Sequence, residues 1–248
     1  MIKGRSLRTA DGEIGEVKDL YFDDHQWRIR YLVVDTGGWL SVDRVLISPE
    51  CLGLPESESK TIPASLTKDQ VESSPRADID DSLSPADEAA LRGHYGWPNY
   101  WSALPMPVPV ADPVIPAYAA ADVDAEAERY PRSHTPAAHR LHRFREVLGW
   151  NTQATDGDFG QVADVLINPE RDWTVTQVVI DTHHWFPGPT VLMAPLWISE
   201  MDRENRWVEI KLDQETIKDA PRIDATDQIN PDYEAELEAH YQSALMPR

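Results

Sequence analysis

A β-rich run between two tryptophans, Trp27-Arg28-Ile29-Arg30-Tyr31-Leu32-Val33-Val34-Asp35-Thr36-Gly37-Gly38-Trp39, returns later as Trp173-Thr174-Val175-Thr176-Gln177-Val178-Val179-Ile180-Asp181-Thr182-His183-His184-Trp185. Around it residues 4–95 align with residues 149–241, in constant register apart from one inserted residue. Asp11-Gly12 matches Asp156-Gly157, Gly15 matches Gly160, and Asp19 matches Asp164. Pro49 matches Pro195, Pro85 matches Pro231, and His94-Tyr95 matches His240-Tyr241. A repeat of this length constrains the fold more than any local propensity, because one architecture must satisfy both copies.

The local signals within a copy are mostly those of strands. Asp11-Gly12 and Asp156-Gly157 predict hairpins with a type I′ turn, for which Gly supplies positive φ. A strand is predicted over residues 14–22 and again over 159–167, and Gly15 and Gly160 inside them mark a bulge or a close backbone approach. Residues 27–35 form the next strand, with Trp27, Ile29, Tyr31 and Val33 on one face and Arg28 and Arg30 on the other. Strands follow at 44–48 and 190–194, each ended by a proline that cannot donate to a ladder, then at 60–64 and 206–212. Ser84-Pro85 and Asn230-Pro231 each open a short helix, with a capping side chain, proline at the first helical position and acidic residues in the first turn. Residues 104–116 are proline-rich and predicted to be an extended spacer, residues 117–129 a marginal helix, and residues 140–148 the opening strand of the second copy.

Composition narrows the functional classes. A net charge of −20 opposes the phosphate contacts of a nucleic-acid interface and docking on anionic lipid. Cys51 is the single cysteine, so an intrachain disulfide is excluded, and a reducing, cytoplasmic setting is expected. The chain enters its first repeat without a charged-then-apolar leader, and it has no run near the ~18–20 apolar residues of a membrane span.

Each chemistry-bearing cluster has a structural alternative. Asp181, His183 and His184 form the most metal-like group. Neighbouring histidines on a strand point to opposite faces, however, and the first copy has Gly37-Gly38 in their place. Asp78-Ile79-Asp80-Asp81 lacks the spacing of a calcium loop and reads as a solvated turn. Asp35 and Asp181 each precede Thr at a strand end, where aspartate bonds its own backbone. No nucleophile elbow, phosphate loop or dinucleotide fingerprint is present, so no catalytic residue and no cofactor are expected. Trp39 and Trp185 end the core strands, and Trp97, Tyr100 and Trp101 form an aromatic knot after the first helix. These five are the candidate partner surface.

Several of these motifs, in order and twice over, resemble the PRC-barrel family: Arg145-Glu146-Val147-Leu148-Gly149, Ala154-Thr155-Asp156-Gly157-Asp158-Phe159-Gly160, Val33-Val34-Asp35-Thr36 with its tryptophan, and His94-Tyr95-Gly96-Trp97-Pro98. The family is named for the cytoplasmic domain of the photosynthetic reaction centre H subunit and includes a domain of the ribosome maturation factor RimM. The chain is most similar to a bacterial branch with two tandem domains. The resemblance implies a mainly β fold of two tandem small antiparallel barrels, each followed by a short helix and related by internal duplication. The expected organisation is residues 1–95 as the first barrel, 96–140 as an aromatic and proline-rich linker, and 141–248 as the second barrel. The expected function is a non-enzymatic interaction or scaffold module that binds a protein partner or itself. The alternative is a metal- or small-molecule-binding protein, sensor or hydrolase-like, using Asp181, His183 and His184 or a cleft between barrels.

Overall fold

The computed structural model describes residues 2–38, 44–56, 59–75, 83–98, 141–183, 190–221 and 230–244. Expectations that fall on Trp39, Asp78–Asp81, Tyr100, Trp101, residues 104–129, His184 and Trp185 lie outside these residues. The chain divides into two compact units, Met1–Arg143 and Phe144–Arg248. Among the described residues the fold is mainly β, with two mixed six-stranded sheets and few helices.

In the first unit, β1 (Ser6–Thr9) and β2 (Gly12–Asp23) form a hairpin, and β3 (Ile29–Asp35) and β4 (Arg44–Ile47) extend the sheet beyond β2. A 3₁₀ turn, Pro49–Cys51, then carries the chain to β5 (Thr61–Pro63) on the far side of β1. In the second unit β7 (Asn151–Ala154), β8 (Gly157–Asn168), β9 (Thr174–Asp181), β10 (Thr190–Met193), the turn Pro195–Trp197 and β12 (Trp207–Ile210) repeat this order. The hairpin registers agree as well: Ser6 pairs with Glu16 and Thr9 with Gly12, as Asn151 does with Gln161 and Ala154 with Gly157.

The expectation of wholly antiparallel sheets is corrected. β5 runs parallel to β1, and β12 runs parallel to β7. The turn after β4 or β10 takes the chain across the unit, so the closing strand reaches the first strand running in the same direction. A further strand, β11 (Ile198–Asp202), forms a hairpin with β12 in the second unit.

The hairpin turns also differ from expectation. Thr9 pairs with Gly12, so the turn residues are Ala10 and Asp11, and neither has positive φ; type I′ is excluded. Asp11 accepts instead from the Thr9 hydroxyl at 2.7 Å and from the Lys68 N–H at 2.9 Å. That second bond ties the hairpin to the N-terminus of a five-residue helix, α1 (Lys68–Glu72), which Thr67 and Gln70 close with a reciprocal capping box.

Gly15 behaves as read from sequence. A Cβ there would lie 2.0 Å from the Asp35 carbonyl oxygen, and one at Gly160 would lie 2.6 Å from that of Asp181, so only glycine lets β2 and β8 approach the ends of β3 and β9. The predicted strand start at Trp27 is two residues early. Trp27 and Trp173 both have left-handed backbones, φ 55° and 56°, and both are buried. Arg30, expected on the face opposite Ile29 and Tyr31, is buried and bonded through Nε to Asp23 Oδ2 at 2.6 Å, and the bulge opposite Tyr21 and Phe22 falls at this residue.

Helix α2 (Pro85–Tyr95) starts under Ser84, whose hydroxyl accepts from the Asp87 N–H at 3.1 Å, and ends at Gly96 with φ 70°. Leu91 on α2 packs into a core with Tyr21, Tyr31, Val33, Leu46 and Leu141. Residues 140–148, expected as one strand of the second repeat, split instead. β6 (Leu141–Arg143) adds to β2 of the first unit, and α3 (Phe144–Val147) opens the second. The second unit ends with α4 (Gln214–Lys218) and α5 (Pro231–Ala244).

Candidate functional site

Aspartate and histidine side chains at matched positions make the same structural bond in both units. Asp35 Oδ1 accepts from the Gly37 N–H at 2.9 Å, and Asp181 Oδ1 accepts from the His183 N–H at 2.9 Å. Each is the aspartate turn expected at a strand end. His94 Nε2 lies 2.9 Å from the Gln70 carbonyl oxygen, and His240 Nε2 lies 2.8 Å from that of Thr216. In each unit this bond ties the long helix to the short one. Asp156 Oδ1 accepts from the Gln214 N–H at 2.8 Å, as Asp11 does from Lys68. The hydroxyl of Thr9, then the N–H of Lys68, holds the Asp11 carboxyl below its usual range. Among the described residues no group of three His, Cys, Asp or Glu is placed to hold a metal ion.

Two clusters break the symmetry, and both belong to the first unit. In one, the Tyr31 hydroxyl donates to Glu88 Oε1 at 2.8 Å and accepts from Arg92 Nη1 at 3.4 Å. Arg92 is fully buried; it reaches Glu50 Oε1 at 2.6 Å and donates to the Pro98 carbonyl through Nε at 2.8 Å and through Nη2. Burial, reinforced by the Glu88 charge, pushes the Tyr31 phenol well above its usual range. At the matching places the second unit has Gln177, Glu234 and Glu238. Gln177 Oε1 is buried without a hydrogen-bond partner among the described residues, and Glu238 is exposed.

The other cluster is the β2–β6 edge. Tyr21 pairs with Arg143, Phe22 with His142 and Asp23 with Leu141. Arg143 Nε donates to Asp19 Oδ2 at 2.7 Å, His142 Nε2 lies 2.9 Å from Asp24 Oδ2, and the His142 ring sits 5.6 Å from that of Phe22. No local signal foretold this pairing. The three residues of β6 read as a strand, but their partners lie more than a hundred positions away.

Residues 2–69 match the PRC-barrel domain. The first unit carries a PRC-barrel domain. A stretch of 102 residues is 39% identical to an uncharacterized protein of Deinococcus radiodurans, over 39% of this chain and 36% of that protein. The chain thus spans about a third of the length of the curated relative it matches.

The PRC-barrel match runs from β1 through β5 to the start of α1, and so contains Gly15, Asp19, Tyr31 and Asp35. Glu88, Arg92 and β6, which complete both asymmetric clusters, lie outside it. Trp97, one of the five aromatic candidates, stacks on Tyr95 at 4.2 Å with the rings 17° apart and packs half-buried against the unit's own core. Among the described residues no helix is long and apolar enough to cross a membrane.

Proposed function

We propose that the chain is a non-enzymatic interaction module built from two PRC-type barrels that arose by duplication, each presenting a sheet surface to a protein partner. The reading rests chiefly on one observation: paired positions make the same structural bond in both units. Asp35 and Asp181 each satisfy their own turn, and His94 and His240 each bind a backbone carbonyl. A side chain that makes the same scaffold bond in both copies is accounted for by the fold without invoking a reaction. The matching strand order and hairpin register favour a common ancestor, and the parallel first and last strands favour a sheet that curls on itself.

The test is multi-angle light scattering of the full chain, together with affinity purification and mass spectrometry from its native cells. A stoichiometric partner or a defined oligomer is expected. A strict monomer that retains no protein above background overturns the proposal.

A further inference from the structure

The two units leave the same sheet edge in different states. In the first unit the outer edge of β2 is covered at Tyr21, Phe22 and Asp23 by the three residues of β6, and all three β2 residues are buried. The matching residues of β8 are Leu166, Ile167 and Asn168. Among the described residues they pair only with β9, and all three are half-exposed. A strand edge with its backbone groups unpaired is a template for another strand.

The anchor for such a strand is retained. Asp19 and Asp164 occupy one position in the repeat and stand at the same bulge in the register with the neighbouring strand. Asp19 Oδ1 accepts from the Leu20 N–H at 3.0 Å, and Asp164 Oδ1 accepts from the Val165 N–H at 2.8 Å. In the first unit the other oxygen, Oδ2, takes the Arg143 guanidinium, and Asp19 is buried. Among the described residues Asp164 has no ion pair, and it is half-exposed. The β2–β6 pair thus indicates what fits β8: an antiparallel strand with arginine opposite Leu166 and Asp164. The two residues that read His142 in the first unit, Phe22 and Asp24, are replaced by Ile167 and Pro169, so the middle position carries no such demand. A net charge of −20 favours a basic occupant and opposes a second copy of the chain.

We propose that the outer edge of β8 at Leu166-Ile167-Asn168 is a strand-addition site for an extended basic segment of a protein partner, whose arginine pairs with Asp164. The proposal rests on the interaction-module reading and names its surface and the chemistry of its ligand.

The test uses the full chain and a fluorescein-labelled peptide with the sequence of residues 138–145, which contains Leu141-His142-Arg143. Binding is followed by anisotropy, and the site is located by hydrogen exchange. Saturable binding is expected, with slowed exchange over residues 164–169. Asp164→Asn should weaken it at least about tenfold, the loss of one charge-assisted bond. Replacing the peptide's Arg143 by Gln should weaken it as much. N-methylation of the central backbone amide should abolish it. The two peptide changes probe the same contact without touching the protein, so they decide the matter even if Asp164→Asn folds poorly. No binding, binding indifferent to both peptide changes, or protection confined to β2 overturns the edge site. So does a dimer of the chain that Asp164→Asn dissolves, because the occupant is then a second copy. Failure of the peptide while a stoichiometric partner persists removes this site and leaves the module reading standing; absence of both removes both.

Discussion

Arg143 Nε meets Asp19 Oδ2 at 2.7 Å across 124 residues of sequence, and both side chains are more than nine-tenths shielded from water. Removing one member of such a pair leaves a buried charge without its counter-ion, which costs about 3–5 kcal/mol. Asp19→Ala should therefore lower the unfolding free energy of the first unit by about that amount, read from urea denaturation. It should also expose the chain near Leu141 to limited proteolysis. Asp164→Ala, at the half-exposed matching position, should cost less than about 1 kcal/mol. Equal losses at both positions would show that the β2 edge does not depend on the ion pair.

Tyr31 and Glu88 join β3 to α2 in a way the second unit does not copy. Tyr31→Phe removes the hydroxyl that donates to Glu88 and accepts from Arg92, leaving two buried charged groups short of a bond. The expected loss is about 1–3 kcal/mol in the first unit. Gln177→Leu at the matching place should be neutral or stabilising, because it deletes a buried oxygen that no described residue bonds. Calorimetry of each variant checks the opposite signs.

Trp27 and Trp173 are buried and hold left-handed backbones, and the Trp27 ring stacks on Phe22 at 5.7 Å. Truncation to alanine should cost about 3–5 kcal/mol at either site, from lost contacts and the cavity left behind. Glycine should recover roughly 1 kcal/mol of that loss, since it adopts positive φ without a Cβ penalty. Glycine variants no more stable than the alanine variants in denaturant melts would contradict the observed backbone.

Gly15→Ala and Gly160→Ala place a methyl group against a backbone carbonyl oxygen, and backbone cannot swing aside as a flexible side chain can. Each should cost about 1–3 kcal/mol, with Gly15 the worse because its clash is closer, 2.0 Å against 2.6 Å. Paired thermal melts of the two single variants would give the order.

These glycines were legible in the sequence because one residue type at one repeated position has few physical meanings. The helix caps at Ser84 and Asn230 were legible for the same reason: capping chemistry is local. β6 was not. Leu141-His142-Arg143 reads as a strand, but what fixes its sheet is the set of carboxylates at Asp19 and Asp24, remote in sequence. The left-handed start at Trp27 was hidden because tryptophan in a β-rich run argues for strand, and packing of its ring overrides the backbone preference. At five residues each, α1 and α4 are too short to show a helical period, although Thr67 with Gln70, and Asp213 at the second, supply their caps. Of the candidate site residues, Asp181 and His183 meet in a turn and Trp97 stacks on Tyr95, contacts that depend on neighbours which hydropathy does not specify.

Cys51 gives a prediction in pH. Its thiol is buried, lies 3.0 Å from the Ser48 carbonyl oxygen, and is pushed by burial up to about 12. A thiol whose folded value is raised above its unfolded one favours the folded state. That contribution is complete below the unfolded value and is lost as pH rises through the folded one. Its share of stability should therefore hold at neutral pH and fall between about pH 9 and pH 12, and Cys51→Ala should flatten that part of the profile. Tyr31, Tyr95 and Tyr241 are also raised by burial, so a residual alkaline slope should survive in the variant. An aromatic disulfide reagent at pH 8.5 provides the direct check: Cys51 should label only on the timescale of unfolding, and at once in urea. Rapid labelling of the native chain would place the thiol at the surface and remove the basis for the pH effect.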